Sequence, residues 1–102
     1  MRYAETGINL EVDLTLGNIE RVETDPEITR HHLGGNGSAA RLIWDRVSPE
    51  TDAFSPDNLL IFSAGLLDGT PIPAVNRTMV DTISPQTNMF SNSIFGGYFG
   101  PE

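Results

Sequence analysis

The chain has 102 residues and a formal net charge of -8, from fourteen acids against six arginines, with no lysine and no cysteine. Such a length holds one domain or part of one, and such acidity argues against a nucleic-acid surface, which must be basic. The missing cysteine excludes a disulfide scaffold, a thiolate-bound metal and an iron–sulfur cluster held by this chain alone.

With 38% apolar residues and a mean hydropathy of -0.19, the composition suits a soluble globular piece. No apolar run approaches the roughly 20 residues that span a bilayer. The polar stretch after Met1 lacks the apolar core of a secretion leader, so a cytoplasmic location is the expectation.

In chain order, Ile8, Leu10, Val12, Leu14 and Leu16 alternate with polar residues, which predicts a half-buried strand. Gly17-Asn18 then suits a tight hairpin turn, with Ile19 to Thr24 returning. Asp25-Pro26-Glu27 carries an N-cap, a proline at the first helical position and a first-turn acid. A short helix is expected over Ile28 to Leu33, stopped by Gly34-Gly35. A second is expected after Asn36-Gly37-Ser38, with Ala40, Ile43, Trp44 and Val47 on its apolar face and Ser48-Pro49 at its end. Thr51 to Asn58 reads as a polar loop, and Leu59-Leu60-Ile61-Phe62 as a buried strand. Gly65 to Val75, rich in glycine and proline, is a loop. Arg77 to Ser84 reads as a strand, Ser84 to Asn88 as a turn, and Met89 to Ile94 as a last strand. Hairpin, helices and then strands give an α+β fold.

Candidate chemistry is sparse. The glycines of Leu33-Gly34-Gly35-Asn36-Gly37-Ser38 would free N–H groups for an anion at a helix start. The Gly-Lys-Ser/Thr ending of a P-loop is missing, and a helix-to-helix corner is the simpler reading. His31 and His32, about 100° apart on a helix, cannot readily share one metal ion. Asn36-Gly37-Ser38 and Asn76-Arg77-Thr78 match the glycosylation pattern by chance. Arg77 is the sole basic residue after Arg46. It suits either an ordinary ion pair or an anionic group of a ligand. No motif places a Ser, His and Asp together for hydrolysis.

Several stretches together carry a family resemblance: GINLEVDLTLGNIERVET, LGGNGSAARLIWDRVSPETDAFSPDNLLIFSAGLLDGTPIP, NRTMVDTISPQT and FGGYFGPE. In this order they resemble the start of the aldehyde ferredoxin oxidoreductase family, the tungsten- or molybdenum-pterin oxidoreductases, from Gly7 to Glu102. The most specific parts are Leu33-Gly34-Gly35 with Gly37, Ser55-Pro56-Asp57-Asn58, Gly69-Thr70, Arg77, Ser84-Pro85 with Thr87, and Gly96-Gly97-Tyr98-Phe99-Gly100. The wording around Arg77 is closer to the branch holding the tungsten subunit of benzoyl-CoA reductase than to the aldehyde oxidases.

The resemblance implies a β-rich amino-terminal domain that seats a tungsten (or molybdenum) bis-pterin. Arg77 would contact the pterin near an iron–sulfur cluster. Ile94 and Gly96 would meet the cofactor through their backbone, and Gly97 would allow close approach. Many members carry asparagine at the position of Ile94, whose carbonyl helps hold a magnesium ion between the pterin phosphates; that backbone carbonyl survives the change to isoleucine. The family usually has arginine at Asn36, lysine at Ile83 and glycine at Asn88, which weakens an assignment to aldehydes.

The 4Fe-4S cluster ligands and the residues acting on substrate belong to later domains of the family, so no catalytic residue is expected here. The chain therefore reads as a fragment, residues 1–102 of a longer amino-terminal domain, inactive alone. The complete protein would oxidise an aldehyde to an acid with ferredoxin as acceptor, or reduce an aromatic acyl-CoA. Its partners would be the rest of its own polypeptide, ferredoxin or an iron–sulfur electron-transfer subunit, and a second copy in a possible homodimer, with no nucleic acid and no membrane. A different class is also compatible with the residues: a free-standing β-rich module whose aromatic-glycine end binds protein.

Overall fold

The structure is a computed structural model and describes residues 6–102. The elements are β1 (Ile8–Asp13), β2 (Asn18–Glu23), α1 (Pro26–His32), α2 (Gly35–Arg46), β3 (Leu60–Ala64), β4 (Arg77–Ile83) and β5 (Phe90–Gly96). Strands β1 and β2 form an antiparallel hairpin with Asp13 opposite Asn18. The other three make an antiparallel sheet in the order β3-β4-β5. The architecture is α+β, as expected, and no helix among the described residues is long and apolar enough to cross a membrane.

Strand β1 stops earlier than its alternation suggests. The Asp13 carboxylate accepts the N–H groups of Thr15 (2.9 Å) and Leu16 (3.2 Å), and Gly17 N–H donates to the Asp13 carbonyl. This local side-chain capture turns the chain before Leu14 can join the ladder. The connection is thus Leu14 to Gly17, with Gly17 at φ 70°, rather than a Gly17-Asn18 turn. Nor is the hairpin half-buried: Leu10 is 65% exposed and Leu14 is 90% exposed.

Helix α1 begins as its residues dictate, with Asp25 accepting from Glu27 N–H at 2.9 Å and Pro26 in the first turn. It ends at His32, and Leu33 takes the left-handed cap conformation at φ 64°. Helix α2 starts at Gly35, three residues before Ser38, so its buried stripe is Ala39 and Ile43. Gly35 lies one turn before Ala39, and a Cβ added there would stand 2.9 Å from Met79 Cε. Trp44, expected on the apolar face, is 80% exposed. Ile43 is buried as expected and Ala40 and Val47 are half-buried, so the error is at Trp44: the face turns toward Ala39 and Gly35, and glycines carry no hydropathy signal.

Met79 faces α2, so its strand neighbours of the same parity, Arg77, Asp81 and Ile83, share that face of β4. Strand β3 alternates between exposed and half-buried, with Leu60 and Phe62 outward, instead of being buried on both sides. The buried apolar residues among those described are Ala39, Ile43 and Met79. A single helix covers one face of the sheet, which leaves the opposite face of β3 open.

Candidate functional site

The site forms where β4 begins and β5 ends. Arg77 N–H donates to Asp68 Oδ1 at 2.9 Å, and Gly65 N–H donates to the Arg77 carbonyl at 2.9 Å. Both main-chain groups of Arg77 therefore point toward β3. In an antiparallel ladder this direction alternates residue by residue. Thr78, Val80 and Thr82 consequently bond to β5, and Ser84 N–H continues that series to the Met89 carbonyl at 2.9 Å.

The register fixes what β5 presents. Ser91, Ser93 and Phe95 stand opposite Thr82, Val80 and Thr78 and bond inward. Phe90, Asn92, Ile94 and Gly96 then aim their N–H and C=O groups away from β4, along the open edge of this sheet. Ile94 and Gly96, singled out through the resemblance for their backbone, are two of these four outward positions.

Arg77 pairs with Gly96 as a non-hydrogen-bonded pair, where facing side chains come closest. A Cβ on Gly96 would lie 2.5 Å from Arg77 Nη1, so the guanidinium fills the space a side chain would take. The residue is exposed, and among the described residues its guanidinium makes one long hydrogen bond, 3.5 Å, to the Asn76 carbonyl. Among the described residues the ion pairs are Arg30–Glu27, His31–Glu27, Arg41–Asp45 and Arg46–Glu11; Arg77 is in none of them. Among the described residues Arg77 thus has no ion-pair partner, and its positive charge stands beside a row of main-chain groups. Gly97 follows at φ 103° with nothing within 4 Å of an added Cβ, so one side of the main chain is open there. Phe95 and Phe99 then stack obliquely at 5.7 Å, while Tyr98 and Phe99 stay mostly exposed.

Such a site suits a large flat anion. The guanidinium supplies charge and planar donors, an outward carbonyl supplies a hard oxygen for a small cation, and the glycines leave room for close approach. These are the features a pterin bearing a phosphate would use.

The other marked positions settle differently. Asn88 sits at φ 56° and donates its N–H to the Ser84 carbonyl at 2.7 Å, so it fills a left-handed turn position where asparagine is the best-tolerated alternative to glycine. Gly34 and Gly35 form the corner between α1 and α2, as the simpler reading had it. The rings of His31 and His32 lie 6.4 Å apart and do not converge, and His31 Nδ1 lies 3.3 Å from the Glu27 carbonyl.

Sequence reasoning missed two acids. Asp68 holds Arg77 N–H, and its Oδ2 is buried without a partner. Asp81 is 0% exposed, both of its carboxyl oxygens lack partners, and burial raises its pKa above the ordinary carboxylate value. Neither belongs to a pattern; the faint signal for Asp68 is the turn dipeptide Asp68-Gly69.

Residues 9–102 match the family described as aldehyde ferredoxin oxidoreductase, N-terminal domain. The chain is 39% identical over 100 residues to the tungsten-containing aldehyde ferredoxin oxidoreductase of Pyrococcus furiosus, covering 98% of this chain and 16% of that protein. An aliphatic sulfonate oxidoreductase, WOR-like subunit, from the same organism is 28% identical over 103 residues, covering 98% of this chain and 16% of that protein. Among solved structures, a chain of the active site complex BamBC of benzoyl coenzyme A reductase, in complex with 1,5 dienoyl-CoA, matches all of this chain and 16% of its own length. That match has a TM-score of 0.96 and 61% identity. The 102 residues thus span about a sixth of the proteins they resemble.

Proposed function

The chain belongs to the aldehyde ferredoxin oxidoreductase family, as its amino-terminal domain, and from that premise we propose that it is the cofactor-seating segment of a cytoplasmic tungsten-pterin, iron–sulfur oxidoreductase that reduces an aromatic acyl-CoA. The observation that carries the substrate class is the 61% identity to the benzoyl coenzyme A reductase chain, against 39% to the aldehyde enzyme. Aldehyde oxidation with ferredoxin as acceptor is the alternative within the same family.

Arg77 holds the pterin system through its unpaired guanidinium. Ile94 and Gly96 meet the cofactor through outward main-chain groups, and the Ile94 carbonyl offers an oxygen to magnesium. Gly97 lets the ligand close on the backbone. When bound, the tungsten-pterin group supplies the electron transfer, and this segment positions it and sets its electrostatic surroundings. The 4Fe-4S cluster and every residue acting on substrate lie outside these 102 residues, as does the surface for an iron–sulfur electron-transfer subunit or a second copy. The exposed apolar face of the β1–β2 hairpin supports reading the chain as a segment of a longer polypeptide rather than as a free-standing module.

The full-length protein, purified from cells supplied with both tungstate and molybdate, tests the reading by metal analysis and by assay with a low-potential donor. Tungsten, together with reduction of an aromatic acyl-CoA, is expected. Tungsten with turnover of aldehydes alone would reassign the substrate, and neither metal in the protein would overturn the cofactor.

A further inference from the structure

We propose that Asp68 is the positioning residue of the Arg77 site, fixing where the guanidinium leaves the sheet; this rests on the reading that Arg77 holds the pterin. Arg77 is the first residue of β4, where a ladder would otherwise fray. A slip of one residue there would send the guanidinium to the opposite face of the sheet. Two bonds prevent it: the Asp68 carboxylate takes Arg77 N–H at 2.9 Å, and Gly65 N–H holds the Arg77 carbonyl at 2.9 Å. A third bond, Gly69 N–H to Asn76 Oδ1 at 3.0 Å, ties the same loop to the residue before.

The carboxylate lies close against two glycines. A Cβ on Gly65 would stand 2.8 Å from Asp68 Oδ1, and one on Gly100 would stand 2.8 Å from Asp68 Oδ2 and would also meet Thr78 Oγ1. Asp68 is therefore slotted between Gly65, just after β3, and Gly100, four residues after β5. One short side chain joins the three segments that build the site, and the two glycines are what its place requires.

In the full-length protein, tungsten and pterin per mole are measured for four variants, with thermal midpoints to confirm folding. Arg77→Ala tests the underlying reading and is expected to lose cofactor. Asp68→Ala is expected to retain about tenfold less, the scale of one lost hydrogen bond to a charged acceptor. Asp68→Asn keeps an oxygen for Arg77 N–H and is expected to retain cofactor. Asp68→Glu keeps the charge but adds a methylene the glycine slot cannot take, and is expected to lose it. Full retention in Asp68→Ala beside loss in Arg77→Ala would overturn the positioning role and leave the reading of Arg77 standing. Retention in Arg77→Ala would overturn both. Loss in Asp68→Asn with retention in Asp68→Glu would replace positioning with a role for charge.

Discussion

Replacing Asp81 with valine should tighten the sheet, and the gain should depend on pH. Asp81 lies in the middle of the central strand, opposite Ile61 on β3 and Asn92 on β5, with Met79 and Ile83 beside it on the face toward α2. It is 0% exposed and neither carboxyl oxygen finds a partner. A buried polar group without a partner costs about 1–3 kcal/mol, so the substitution should stabilise β4 by about 2 kcal/mol at neutral pH, roughly a 30-fold slower opening. Burial raises the carboxyl pKa above its ordinary 3.8. The wild-type chain is therefore least penalised below that ordinary value and loses stability as pH rises through the raised one. Valine has no such dependence, so its advantage should grow with pH. Hydrogen exchange of peptides spanning residues 60–83 in the full-length protein, as variant-to-wild-type ratios below pH 3.8, where the carboxyl is protonated folded and unfolded, and at about pH 8, reads this directly. Faster exchange in Asp81→Val, or an advantage that does not grow with pH, would refute the assignment of an uncompensated buried carboxyl.

Three further outcomes follow from the geometry. Gly37→Ala, which at an ordinary helix position gains about 1 kcal/mol, should instead destabilise by about 1–3 kcal/mol, because its Cβ would run into the His32 carbonyl oxygen. A lowered thermal midpoint checks this, and a raised one would show that the α1–α2 corner can relax. Gly96→Ala puts its Cβ against the movable end of Arg77, so stability should shift by no more than about 0.5 kcal/mol, while tungsten content falls. Glu11→Gln removes the 2.8 Å bridge to Arg46 that ties the hairpin to α2, but both partners are over two-fifths exposed. Its effect should stay under about 1 kcal/mol and fade with added salt in denaturation curves.

Where local chemistry decides, the residues could be read directly. Asp25-Pro26-Glu27 specifies the start of α1, and the hairpin and the three-stranded meander follow from apolar runs and turn residues. Where one element's phase depends on another, reading failed. The face of α2 turned on Gly35 meeting Met79, a contact no hydropathy pattern encodes, and so Trp44 was assigned inward. The alternation from Ile8 to Leu16 was real, but the Asp13 side chain cut it short. For the candidate site, Arg77, Ile94, Gly96 and Gly97 are marked by resemblance to a family pattern alone, and their part in seating a cofactor is a proposal. Asp68 is not marked, because its role exists only once β4 is in register and three segments have come together.

The open edge of β5 has a bearing on how such a site changes over generations. Peptide groups are common to every residue type, so a ligand gripped by the outward carbonyls and N–H groups at positions 90, 92, 94 and 96 is largely indifferent to the side chains there. On the proposed reading, the side chains at 90, 92 and 94 would carry little of the grip. Gly96 differs, because a side chain there would meet the Arg77 guanidinium. If the proposed seat is right, the walls around the ligand could be replaced without rebuilding the grip.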